Sequence, residues 1–140
     1  MTDPLSDIRQ YSPTMTISQV LKFCEKKEMS ITRAMIQNYI RAGVLPPPTD
    51  KRFYTHKHLA ALAMIDRLKT VFEIPTIKEA LAPYMDAEGL PPEVYTELIK
   101  KVGYLTQKWL FLNADVLKTE EDGGTLLTMA CAAELKAAVL

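Results

Sequence analysis

The 140-residue sequence predicts an all-α, mainly helical fold that carries one small two-stranded β wing. Three observations lead there. Apolar residues recur at three- and four-residue steps over most of the chain, the spacing that lines one face of a helix. Threonine, glycine and proline stand where helices start and stop. Pro46-Pro47-Pro48, the turn-like Thr49-Asp50-Lys51 and the strand-like Arg52-Phe53-Tyr54 interrupt the helical pattern once.

Residues 1–15 hold Pro4 and Pro13 and little periodicity. They read as an N-terminal arm, helical in part near Leu5 to Gln10. Thr16 and Gln19 have the spacing of a capping box and open the first helix. Ile17, Val20, Leu21 and Cys24 form its apolar face, and the charged run Glu25 to Glu28 ends it. A second helix is expected from Thr32, the N-cap, with Ser30 the other choice, to Ala42; Gly43 suits the left-handed residue that closes it. Ile36, Tyr39, Ile40 and Val44 form its buried side. About four residues, 28–31, separate the two, a helix-turn-helix spacing.

The proline run, with Leu45 before it, and residues 52–54 make the two arms of the expected wing. Thr55 caps a third helix whose apolar face includes Leu59, Leu62, Leu68 and Phe72. Ile74-Pro75 breaks it, and Thr76 with Glu79 is read as a second capping box opening a short helix to about Tyr84. Residues 86–92 form a linker. Pro91 and Pro92 fit the first turn of a long helix expected to reach Lys118, with Val94, Leu98, Leu105, Trp109 and Leu112 along it. An acidic loop, 119–124, leads to an alanine-rich last helix, Thr125 to Leu140. The units are thus an arm (1–15), a helix-turn-helix domain with its wing (16–85) and a C-terminal helical module (91–140).

Lysine plus arginine and aspartate plus glutamate balance at 17 each, but unevenly along the chain. Residues 1–80 carry 12 basic and 8 acidic side chains; residues 81–140 carry 5 and 9. The front half is basic and the rear half acidic. Cys24 and Cys131 are too far apart in sequence to suggest a disulfide framework or zinc cluster and read as small buried hydrophobes. The opening Met1-Thr2-Asp3-Pro4 is polar, unlike a signal peptide, and Thr125 to Leu140 is too short and too charged to span a bilayer. A cytoplasmic protein is expected.

Arg33, Gln37 and Arg41 recur at four-residue steps on the outward side of the second helix, with Asn38 beside them. Arginine can bond guanine O6 and N7 together, and glutamine or asparagine adenine N6 and N7. The second helix of this motif is the one that enters a major groove. Lys51, Arg52, Tyr54, Thr55, His56 and Lys57 gather cations and hydroxyls at the start of the third helix, a setting that suits phosphate. Thr32 and Tyr39 complete the expected DNA-binding set. The bland alternative for the stripe is a solvated helix face. His56 and His58 point different ways on a helix, so a metal pair is not expected. Trp109 with Tyr104, Phe111 and Leu112 reads as core or dimer seam rather than as a ligand pocket.

Several ordered segments resemble the MerR family of winged helix-turn-helix proteins. Thr16-Ile17-x-x-Val20 is similar to the opening of its DNA-binding domain, and Tyr39-x-Arg41-x-Gly43-Val44-Leu45-Pro46-Pro47 to the exit from its second helix. Arg52-Phe53-Tyr54-Thr55 with Leu59 resembles its wing and next helix, and Ile65 to Leu81 its third and fourth helices. The likeness covers about residues 16–82 and extends to a bacterial group described as a domain of unknown function. It implies phosphate contacts at Tyr39 and Arg52, binding to double-stranded DNA, and a homodimer formed through the C-terminal helices. The sequence departs from the family at Gln37-Asn38, where an Arg-Tyr pair is usual, at Asp50-Lys51, where a Gly-Tyr is usual, and in having two rear helices instead of one.

A sequence-specific transcriptional regulator is therefore the leading expectation, with no cofactor and an unidentified small-molecule effector conceivable. A phage-type architectural or protein-interaction module that reuses the fold is the alternative. No glycine-rich phosphate loop, nucleophile motif or metal-ligand spacing suggests an enzyme.

Overall fold

The computed structural model describes residues 3–111 and 124–139. It is mainly helical. Thr16 opens α1 (Ile17–Lys26): its hydroxyl accepts from the Gln19 N–H at 3.4 Å, and its own N–H donates to Gln19 Oε1 at 2.8 Å. Such a reciprocal box satisfies two donors that a helix start leaves free. At the other end, Met29 N–H donates to the Cys24 carbonyl (2.8 Å) and Glu28 N–H to that of Glu25 (3.1 Å). This double closure requires a left-handed residue, and Glu28 supplies it at φ 60°. In α2 (Arg33–Ala42) the Thr32 hydroxyl accepts from Met35 N–H at 3.2 Å, and Gly43 at φ 81° turns the chain out. The connection between them spans residues 27–32, two more than expected. Lys69 holds it by donating to the Ser30 carbonyl.

α3 (His56–Leu68) is the central rod. Every residue from His58 to Ile65 is buried, so the helix is covered all round. Its order stops at Leu68, and Phe72 packs beyond the helix. α4 (Ile74–Leu81) begins two residues before the expected Thr76 box: Glu73 is its N-cap and Pro75 sits in its first turn, where a missing N–H costs nothing. The chain then runs through a 3-10 turn (Ala82–Tyr84) to α5 (Pro92–Phe111) and α6 (Gly124–Val139). The expected continuation of α5 to Lys118, and the surroundings of Trp109, Phe111 and Leu112, lie outside the described residues and side chains.

The rear helices fold back onto the front of the chain. α6 packs against α5, α3 and α4, and Leu126, Leu127, Met129, Ala130, Cys131 and Ala133 are all buried there. Arg67 of α3 pairs with Glu134 of α6 at 3.1 Å. Both cysteines are buried, and burial pushes the Cys24 thiol up to about 12. No described helix is long and apolar enough to cross a membrane.

Two expectations change. The arm is not separate from the domain that follows it: Leu5, Ile8 and Met15 are buried, Tyr11 meets Phe23 edge-on at 5.0 Å, and Lys27 pairs with Asp7 at 2.7 Å. The partly helical reading of it corresponds to a 3-10 turn at Ile8–Gln10. The two-stranded wing does not form as a ladder among the described residues. Thr49 and Phe53 exchange two backbone bonds (2.7 and 2.9 Å) around a tight turn, and pairing stops there. The next rung would join residues 47 and 55, but Pro47 has no N–H and Thr55 N–H is already bonded to His58 Nδ1. Tyr54 instead pairs with Met15 of the arm (2.7 and 2.8 Å).

Two substitutions test this backbone account by chemical denaturation. Glu28→Gly should raise stability by about 1 kcal/mol, because glycine takes the left-handed conformation without a Cβ clash. Gly89→Ala should lower it by about 2 kcal/mol or more, since Gly89 is at φ 136° and an added Cβ would lie 2.5 Å from the Lys57 carbonyl oxygen.

Candidate nucleic-acid interface

The burial pattern of α2 separates its two faces. Ile36 and Tyr39 are buried and Met35 and Ile40 half-buried, which turns Arg33, Gln37, Asn38 and Arg41 outward as an exposed stripe. Asn38 Oδ1 accepts from Arg41 Nη1 at 3.1 Å, so the two are linked along the surface. Thr32 is exposed at the helix start, its hydroxyl occupied with the Met35 N–H.

The turn at 49–53 presents Lys51 and Arg52, both exposed. Asp50 and Lys51 stand at φ 52° and 62°, the left-handed region that non-glycine residues seldom adopt. Arg52 lies over the Phe53 ring at 5.1 Å. The pairing of Tyr54 with Met15 sets this turn beside the start of α1, and the Arg33 charge reaches Tyr54 closely enough to offset part of the upward push that burial gives its phenol.

The other sequence-selected residues serve the fold. Tyr39 and Tyr54 are 5% and 7% exposed, and burial raises both phenols. His56 Nε2 donates toward the carbonyls of Tyr11 and Ser12, 3.1 Å from each, and so ties the arm to α3. Lys57 pairs with Asp86 at 2.6 Å; that bond holds its ammonium above the usual lysine range and the Asp86 carboxyl below the usual carboxylate range. Asp86 also accepts from the N–H groups of Glu88 and Gly89 at 2.9 and 3.2 Å.

Sequence reasoning passed over two features. Lys22 and Lys26, exposed on α1 at a four-residue step, add cations to the front of the molecule; the spacing was visible in the sequence. His58 is fully buried. Its Nδ1 accepts the Thr55 N–H at 3.0 Å, which leaves Nε2–H to donate to the Pro47 carbonyl at 3.1 Å. Nothing in the sequence marks a histidine as the third residue of a capping box, a place normally held by Glu or Gln. Among the described residues no group of three His, Cys, Asp or Glu side chains could hold a metal ion.

This geometry defines a mainly helical protein with polar and basic side chains exposed along one helix and at one turn. The chain belongs to the family described as "Domain of unknown function (DUF1836)", whose pattern matches residues 7–98 and so takes in the arm from Asp7 onward and the start of α5. No curated protein and no solved structure matches the chain.

Burial lowers the His58 pKa below its ordinary value of about 6.5. The unfolded chain then takes up a proton more readily than the folded one, so stability is full above about pH 6.5 and falls as pH drops below it toward the folded-state value. His58→Gln keeps a box-forming side chain without the titration. Urea midpoints between pH 7 and pH 5 should fall in the natural protein and stay flatter in His58→Gln; equal slopes would refute this role.

Proposed function

We propose that this chain is a sequence-specific DNA-binding transcriptional regulator of the MerR type, with α2 in the major groove and the turn at 49–53 acting as a short wing on the phosphate backbone. One observation carries the reading. The cations at junctions between elements, Lys27, Lys57, Arg67 and Lys69, are each paired with a carboxylate at 2.6–3.1 Å. Arg33, Arg41, Lys51 and Arg52, on the exposed face, have no carboxylate within 4 Å among the described residues. Free cations facing solvent beside base-reading amides suit a polyanion that is read by its base edges.

A homodimer is part of the proposal. Among the described residues most α6 side chains lie in the chain's own core, while the outer side of α5 is exposed and offers a face to a second copy. Glu93 and Glu97 lie toward its start, Lys100 and Lys108 toward its end, and Tyr104 between the two lysines is 57% exposed. Acidic and basic ends of one stripe are complementary when two copies run antiparallel. Such a dimer would contact half-sites about 34–36 Å apart.

Fluorescence anisotropy on a site selected from random duplexes tests both parts. Arg33→Ala and Arg41→Ala should each cost about 1–3 kcal/mol on that site and relax sequence preference. Lys51→Ala should weaken all sequences alike and reduce the salt slope by about 0.9. Lys57→Ala should change DNA affinity little. Tyr104→Glu should give a monomer in sedimentation and lose preference for paired half-sites. Salt-sensitive retention without any sequence preference would favour the architectural alternative, and no retention at low salt would refute DNA binding.

A further inference from the structure

Lys78, in the last turn of α4, is exposed and has no carboxylate within 4 Å among the described residues. It therefore meets the criterion that marks Arg33, Arg41, Lys51 and Arg52. Its position is set by α2. The two helices pack together, and a Cβ added at Gly43 would lie 2.9 Å from Lys78 Nζ and 3.3 Å from its Cε. The ammonium thus stands where the missing side chain of Gly43 leaves room, at the point where α2 ends.

That point has a defined electrical character. The aligned peptide dipoles of a helix leave about −0.5 elementary charge at its C-terminus, on carbonyls without intrahelical partners. A recognition helix in a major groove offers its N-terminal residues to base edges, so its C-terminal end leads out toward the backbone. Placed this way, α2 would bring its negative end toward phosphate, and the two would repel. Arg41 supplies one cation in the last turn of α2, where it also bonds Asn38. Lys78 supplies a second from another element. We propose that Lys78 is a phosphate-contacting residue of the DNA interface, its ammonium offsetting the negative end of α2 and taking a backbone phosphate where that helix leaves the groove. The inference rests on the DNA-binding reading above and adds α4 to the elements that meet DNA. An ammonium suits the place, because its three rotatable donors meet a phosphate oxygen from many directions and read no sequence. Gly43 then serves twice: it closes α2 in the left-handed conformation and leaves space for Lys78 beside that end.

Fluorescence anisotropy of the full chain, on the selected duplex and on one of random sequence, tests it in Lys78→Gln and Lys78→Arg, with Lys51→Ala as the reference. Lys78→Gln should weaken both duplexes alike and lower the salt slope by about 0.9, losing about three- to fourfold less affinity than the natural protein between about 50 and 200 mM salt. Lys78→Arg should keep both affinity and slope. Urea denaturation of the same variants separates a contact from a helix cap: an unchanged slope with a lowered midpoint in Lys78→Gln would overturn the proposal and leave Lys78 acting on the end of α2 alone. A loss confined to the selected duplex would also overturn it, since a phosphate contact reads no sequence. An unchanged slope in Lys78→Gln beside a reduced one in Lys51→Ala would overturn it while the DNA-binding reading stands, and no binding by the natural protein at low salt would overturn both.

Discussion

The neutral imidazole of His58 is the contact on which the front of the molecule depends. One nitrogen receives the N–H that starts α3, and the other gives its hydrogen to the Pro47 carbonyl. The basic turn is thereby fixed to the central helix from inside. The same ring meets Tyr54 edge-on at 5.3 Å, and Tyr54 hands the constraint to the arm through its backbone pairing with Met15. The arm leads directly into the Thr16 cap of α1. A short turn with a single pairing rung can hold its place because two elements, α3 and the arm, grip its ends, and the buried His58 Nε2–H deprived of this acceptor would cost about 1–3 kcal/mol.

Charge is distributed to match. Where elements meet, cations are neutralised: Lys27 on the arm, Lys57 on the loop before α5, Arg67 on α6. Such pairs fix geometry more than they add stability, since most are partly exposed. On α2 and the turn the cations face water with no carboxylate within 4 Å among the described residues. A chain with no net charge can in this way present a basic face, because its acidic residues are committed elsewhere or lie toward the rear. The left-handed pair Asp50-Lys51 carries backbone strain at the turn that offers Lys51 and Arg52, the kind of place where strain accompanies function.

Much of this was legible from residue order. The caps at Thr16 and Thr32, the left-handed Gly43 and the outward stripe of α2 follow from local rules, because each depends on residues three or four positions apart. What was not legible depends on distant partners. Pro4, Pro13 and the lack of periodicity marked residues 1–15 off as an arm, yet Leu5, Ile8 and Met15 find apolar partners that no local pattern reveals. Thr76 and Glu79 satisfied a capping rule, but the helix starts two residues earlier, with Pro75 accepted in its first turn. Lys57 and His56 looked like phosphate ligands until Asp86, 29 residues away from Lys57, and the carbonyls of Tyr11 and Ser12 claimed them. The wing failed as a ladder for a local reason, the missing N–H of Pro47, that the proline run itself announced.

DNA binding by α2 and the turn at 49–53 is the central proposal. Backbone amide chemical shifts recorded as duplex DNA is added would locate the contact directly. Changes concentrated in residues 32–41 and 49–53, with Lys57 and Asp86 little affected, are the predicted result. Changes confined to α5 and α6, or none at low salt, would contradict it.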